Sequence, residues 1–135
     1  MLGFAQEAWL LSALTQSKAK WNVIAQDVMM AQLRKKPDNG DAFWTDSWDG
    51  YPATRSRLLK RISDRKVSNP VVIGGDIHSF FANDLRLDYS DPTSPIVATA
   101  IVGTPVTSYP APYEPMAPLV PAPSHLPFLA SRRPR

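Results

Sequence analysis

The sequence predicts an α/β domain, and three features support this. Val71–Ile73 and Ile96–Val102 are short apolar runs rich in β-branched residues, which is typical of buried strands. Residues from about Gly3 to Ser17 carry apolar side chains at helical spacing. Pro52 occupies the favoured first position of a second helix. Strands that alternate with helices along one chain indicate a mixed α/β architecture.

Each predicted helix has an apolar face. In the first helix this face consists of Trp9, Leu10, Ala13 and Leu14, and we expect it to pack against the core. In the second helix, the buried face comprises Leu58, Leu59 and Ile62. Its outer face is basic, with Arg55, Arg57, Lys60, Arg61, Arg65 and Lys66. A nucleic-acid surface is one interpretation, but no aromatic residues interleave with the charges, which favours a solvated helix face.

Three further segments have strand-like composition. Trp21–Ala25 is short and β-branched, and Phe80–Leu87 alternates imperfectly between apolar and polar residues. Val28–Leu33 is apolar and is interpreted as either a short strand or a buried loop. Arg34–Thr45 is polar and contains Pro37-Asp38-Asn39-Gly40, which predicts a turn or loop.

The amino-acid composition excludes several classes of protein and several kinds of site. At 135 residues with a net charge of +3, the chain is about one domain and lacks a broad basic footprint for nucleic acid. There is no cysteine, which excludes disulfides and thiolate metal sites within it. Met1–Leu14 has no basic segment typical of a signal peptide, and no apolar run approaches the ~20 residues that span a bilayer.

The C-terminal end of the chain differs in composition from the rest. Nine of the 14 prolines lie from Pro105 onward, and proline at this density prevents helix and removes donors from strand pairing. We therefore predict that Tyr109–Arg135, which includes His125, is an extended or disordered tail. Because the chain starts directly in a helical pattern and ends in this run, we expect a piece of a larger domain.

The strongest candidate site follows the apolar strand Val71–Ile73. Gly74 and Gly75 allow a sharp turn, and Asp76 and His78 come directly after it. Ligands in open α/β sheets bind at the carboxyl ends of strands, and a carboxylate with an imidazole suits a metal cation. The alternative is an aspartate that caps a turn beside a histidine bonded to a carbonyl, and spacing alone leaves both open.

Two other segments supply weaker candidates. Asp27 follows the Trp21–Ala25 strand and would share an edge with Asp76 if the two strands are neighbours, although a turn residue is the simpler interpretation. Asp46–Tyr51 contributes Trp48 and Tyr51, which either line a pocket or anchor their loop to the core.

Taken together, the motifs resemble the C-terminal part of the PhoD-like alkaline phosphatases, a family within the calcineurin-like metallophosphoesterases. The matching segments occur in the family's order, cover most of residues 3–104, and include a fairly specific pair, W-D-G-Y-P and G-D-I-H-S-F. They are Gly3–Leu10, Ser17–Ile24, Val28–Leu33, Asp46–Arg55, Val71–Phe80 and Ala82–Leu85.

The resemblance implies that residues 1–108 form the C-terminal half of an αββα metallophosphoesterase sandwich, and that 109–135 form the tail. It implies a phosphoric ester hydrolase that acts on phosphate monoesters and often diesters, uses calcium and iron, and is exported through the twin-arginine route to the periplasm or outside the cell. It makes Asp76 and His78 metal ligands, with a catalytic role for His78, and leaves Asp27 as a further candidate ligand. Independently of the resemblance, the modest net charge of +3 predicts no specific nucleic-acid partner.

Three departures from the family pattern affect the interpretation. The family's earlier metal motifs, including a cysteine in its founding members, are absent. Ala25-Gln26-Asp27 stands where the family commonly has Gly-Asn-Gln, and the family's Glu near Ala100 and Ser near Pro105 are missing. We therefore expect little activity from this chain alone and a missing N-terminal half as its partner. The alternative is a non-catalytic remnant or interaction module that uses the basic helix or the proline-rich tail.

Overall fold

Two helices lie on one side of a four-stranded sheet. The structure is a computed structural model that describes residues 2–35 and 42–109. Its elements are α1 (Phe4–Gln16), β1 (Asn22–Ala25), a 3-10 turn (Trp48–Gly50), α2 (Pro52–Asp64), β2 (Pro70–Gly74), β3 (Phe81–Arg86) and β4 (Ile96–Val102). The helices and strands predicted from sequence are confirmed within one or two residues. Within the described ranges, no helix is long and apolar enough to cross a membrane.

The strand order is β1-β2-β4-β3. The first three strands of this order are parallel, and β3 runs antiparallel to β4. Ala25 pairs with Ile73, and Gly74 pairs with Val102. The carboxyl ends of β1, β2 and β4 therefore meet at one edge of the sheet, which we call the carboxyl edge.

The core lies between α2 and one face of the sheet. Ile24, Val72, Ala100 and Phe81 from the four strands point into it. The predicted buried face of α2 is confirmed, since Leu58, Leu59 and Ile62 are all buried. The segment Val28–Leu33 is a loop rather than a strand, and its buried side chains are those of Met29, Met30, Ala31 and Leu33. The loop therefore forms part of the core without contributing to the sheet.

The opposite face of the sheet is apolar but exposed. Val23 is 60% exposed, Ile73 is 42% exposed and Ile101 is 39% exposed. Ala25 and Thr99 on the same face are also exposed. Parallel strands normally have both faces covered, and no described element covers this one. We call this surface the open face.

Two predictions about the helices are wrong. Trp9 is 67% exposed and Ala13 is also exposed, because the inward side of α1 is formed by Leu10, Leu11 and Leu14. Arg55 is not part of the solvated basic face but is only 5% exposed. It can be buried because its guanidinium forms a short ion pair with Asp49.

Some predictions lie outside the described residues. These are the proline-rich tail beyond Tyr109, including His125, and part of the polar loop, residues 36–41. The domain boundary at 108 stays a prediction.

Candidate metal centre

Backbone pairing brings the ends of β1 and β2 together at the carboxyl edge. The Gln26 N–H donates to the Ile73 carbonyl at 3.0 Å, and the Gly75 N–H donates to the Asp27 carbonyl at 3.0 Å. Since β1 and β2 are neighbouring strands, Asp27 lies at the same edge of the sheet as Asp76. The β4 end joins the same edge, since the Gly103 N–H donates to the Gly74 carbonyl at 3.0 Å.

Asp76 and His78 both adopt left-handed backbone conformations. Their φ angles are 69° and 58°, respectively. Between them, the Ile77 N–H donates to the Gly75 carbonyl at 2.9 Å and closes a tight turn. Positive φ in residues other than glycine is uncommon and costs roughly 1–3 kcal/mol each, and such strain concentrates at functional sites. This turn is therefore unusual, because two of its residues, separated by one position, have strained backbone conformations.

The candidate side chains are available to a ligand. Asp27, Asp76 and His78 are all exposed. Among the described residues, the side chains of Asp76 and His78 form neither a hydrogen bond nor an ion pair. In this part of the chain, the Asp76 carboxylate therefore does not cap a turn, and the His78 imidazole is not hydrogen-bonded to a carbonyl. Carboxylate oxygen and imidazole nitrogen are suitable ligands for a divalent or trivalent cation.

The described residues do not form a closed metal site. Within residues 2–35 and 42–109, no three His, Cys, Asp or Glu side chains are grouped so that they could hold a metal ion. Asp76 and His78 can therefore supply only part of a coordination shell. Asp27 lies beside Gly75 through its backbone, but its carboxylate does not complete a three-ligand group.

The two aromatic candidates occupy different environments. Trp48 is 2% exposed and belongs to the core cluster, and its indole N–H donates to Gln26 Oε1 at 2.9 Å. Tyr51 is 46% exposed and immediately precedes α2. A cleft of about 400 Å³ lies between α2 and the β3–β4 connection, and neither residue lines it. The structure thus places Trp48 as an anchor and leaves the Tyr51 ring accessible.

Sequence reasoning missed the ion pair behind this loop. Arg55 Nη1 donates to Asp49 Oδ1 at 2.7 Å and to the Met30 carbonyl at 3.1 Å, while Asp49 Oδ2 accepts from the Leu33 N–H at 2.7 Å. Burial raises the pKa of the Asp49 carboxyl, and the Arg55 charge opposes that shift. The sequence signal for this ion pair was an aspartate before the predicted start of α2 and an arginine just after it.

The Tyr89 ring completes this cluster. The Arg55 guanidinium lies 5.0 Å from the centre of the ring. Burial raises the pKa of Tyr89 to about 12, with the Arg55 charge acting in the opposite direction. The phenol is therefore neutral at physiological pH, and the positive charge of Arg55 is shared between a carboxylate and an aromatic face.

Comparison with known proteins gives a consistent result. The family model described as PhoD-like phosphatase matches residues 1–127. Alkaline phosphatase D of Bacillus subtilis (strain 168) is 39% identical over 108 residues, which are 80% of this chain and 18% of that protein. A solved structure titled "Structure of PhoD" matches with a TM-score of 0.74 and 39% identity, over 79% of this chain and 20% of that one. The chain thus spans about a fifth of the length of these relatives, and it belongs to the PhoD-like phosphatase family.

Proposed function

We propose that this chain supplies part of the metal site of a phosphoric ester hydrolase, with Asp76 and His78 as metal ligands. The observation that carries the proposal is a pair of exposed side chains at the carboxyl edge of the sheet, each on a residue with positive backbone φ. Calcium and iron are the proposed metals, and both accept carboxylate oxygen. When bound, such a cation neutralises phosphate charge and activates water. His78 has a catalytic role in this proposal because, as a metal ligand, it lies next to the reacting group.

Asp27 is the third proposed ligand. Its support is the Gly75–Asp27 backbone hydrogen bond, which holds it beside the turn that carries Asp76. Because it forms no three-ligand group with the described residues, its role depends on donors from outside residues 2–35 and 42–109.

The remaining ligands come, in this proposal, from the larger part of the protein that the relatives possess. About four-fifths of the matching solved structure lies outside the matched region, which covers 20% of that chain. The open face offers an apolar surface on which a second sheet can pack, with Val23, Ile73 and Ile101 as its exposed side chains. We further propose a phosphate mono- or diester as substrate and a secreted or periplasmic location for the complete protein.

The first test measures hydrolysis of p-nitrophenyl phosphate with added calcium and iron. We expect background rates from this chain alone, because its ligand set is partial. Robust turnover that His78→Ala abolishes would show that the chain is catalytically complete and would refute this part of the proposal.

The second test uses a chimaera in which this chain replaces the matching 108-residue segment of alkaline phosphatase D. We expect turnover, and we expect Asp76→Ala and His78→Ala to reduce it by at least about 10²-fold, as loss of a metal ligand removes the cation. Asp64→Asn is the matched control, because Asp64 lies at the end of α2 with an exposed side chain. Full activity of the His78→Ala chimaera would contradict the assignment.

No observation on the described residues favours the interaction-module alternative. Three of the basic α2 residues are already paired with carboxylates, namely Arg55 with Asp49, Arg57 with Glu7 and Lys60 with Asp64. This pairing reduces the positive field of the helix.

A further inference from the structure

The end of β2 is in close contact with the side chain of Gln26. A Cβ atom added to Gly74 would lie 2.5 Å from Gln26 Nε2 and 2.9 Å from the Val28 carbonyl oxygen. Gly74 is the last residue of β2 and lies two residues before Asp76. The Gln26 amide therefore packs directly on the backbone that leads into the proposed metal ligands.

That amide is itself held at both of its atoms. Gln26 Oε1 accepts from the Trp48 indole N–H at 2.9 Å and from the Val28 N–H at 3.1 Å. Gln26 Nε2 donates to the Val28 carbonyl. Trp48 is fixed in turn, since it is 2% exposed and its backbone N–H donates to the Met29 carbonyl at 3.3 Å. The amide thus has one orientation, set by the core.

The next step in the chain of contacts reaches the turn. Asp27 follows Gln26, and its carbonyl accepts the Gly75 N–H at 3.0 Å. Beyond Gly75, Asp76 and His78 have φ angles of 69° and 58°. Strained conformations of this kind persist only where the surroundings determine them, and Gln26 with Asp27 forms those surroundings on the β1 side.

We propose that Gln26, held by Trp48, is a positioning residue that fixes the end of β2 so that Asp76 and His78 present their side chains to one cation. The inference rests on the proposed function and adds to it the residues that orient the ligands. Outer residues that orient metal ligands typically contribute about 10- to 100-fold to metal affinity. Gln26 acts through backbone contacts and does not itself touch the metal in this proposal.

The test uses the full 135-residue chain, which contains two histidines, His78 and His125. Mn²⁺ is the probe, because paramagnetic broadening of the imidazole NMR signals detects even weak binding at each histidine separately. His125 is the internal reference. Amide hydrogen exchange at Gly75 is the second measurement, and it reports the Asp27–Gly75 hydrogen bond without any metal.

Two variants remove the contacts in different ways. Gln26→Met keeps side-chain volume but loses the amide hydrogen bonds, and Trp48→Phe keeps an aromatic ring but loses the indole N–H. We expect each to raise the Mn²⁺ concentration needed for half-broadening of His78 by about tenfold. We also expect each to accelerate Gly75 exchange by about tenfold. The matched controls are Gln6→Met and Trp44→Phe, since both residues are exposed.

The outcomes separate this inference from the function on which it rests. Selective broadening of wild-type His78 that both variants retain would overturn the positioning role, whether or not Gly75 exchange accelerates. Equal broadening of His78 and His125 in the wild-type chain would overturn the metal assignment itself. If Gln26→Met does not fold, Trp48→Phe decides the positioning role alone.

Discussion

The buried Asp49–Arg55 ion pair makes a quantitative prediction about stability. The two side chains are 2% and 6% exposed and meet at 2.7 Å, so water screens the interaction little. In Arg55→Met, the Asp49 carboxylate keeps the Leu33 N–H but loses its counter-ion. Removing one partner of a buried pair costs about 3–5 kcal/mol, and we expect the free energy of unfolding to fall by that amount at pH 7.

Double substitution distinguishes this mechanism from a simple loss of packing. In Arg55→Met with Asp49→Leu, no charge is left buried, and we expect most of the lost stability to return. Lys60→Met is the control, because the Lys60 side chain is 69% exposed in its pair with Asp64 and such pairs contribute at most about 1 kcal/mol. Urea unfolding followed by tryptophan fluorescence measures all of these variants.

The pH dependence follows from the raised pKa of Asp49. In the folded state this carboxyl keeps its proton to higher pH than in the unfolded chain, so its contribution to stability falls as pH rises through the folded pKa. Arg55→Met removes the charge that opposes the shift, and the variant should regain stability as pH is lowered from 7 toward the unfolded value near 3.8. A variant within about 1 kcal/mol of wild type at pH 7, or a double variant no better than the single one, would refute this reasoning.

Three further predictions concern the carboxyl edge and the open face. Gly74→Ala should lower the free energy of unfolding by about 1–3 kcal/mol, because its Cβ would overlap the Gln26 amide, whereas Gly3→Ala, with nothing within 4 Å, should not. Asp76→Gly should raise stability by up to about 1 kcal/mol by relieving positive φ while it weakens Mn²⁺ binding, as unfolding and NMR titrations can show. Ile73→Lys should leave the fold of this chain intact, as circular dichroism measures, but should abolish activity of the alkaline phosphatase D chimaera because a charge would enter the proposed interface. An active Ile73→Lys chimaera would mean that the open face is not an interface.

Local patterns predicted most of the secondary structure. The bounds of β4 match the apolar run Ile96–Val102, and α2 starts at Pro52 as its fixed φ favours. Sequence patterns did not predict the burial or exposure of a charged or aromatic side chain whose environment depends on residues elsewhere in the chain. Arg55 has the helical spacing of Leu58, Leu59 and Ile62, but its charge suggested exposure, and its burial depends on Asp49 and the Met30 carbonyl. Trp9 has core spacing but remains exposed.

The sequence alone predicted the elements and the family resemblance, and it made Asp76 and His78 candidate ligands, because hydrophobic periodicity and short motifs are local properties of the chain. Only the tertiary structure decided that β1 lies beside β2, and hence that Asp27 and Gln26 reach the turn before Asp76. It also decided that Gly74 must lack a side chain and that no element within residues 2–35 and 42–109 covers one face of the sheet. These features arise from strand order and from contacts between residues distant in sequence, and a local periodic pattern contains no information about either.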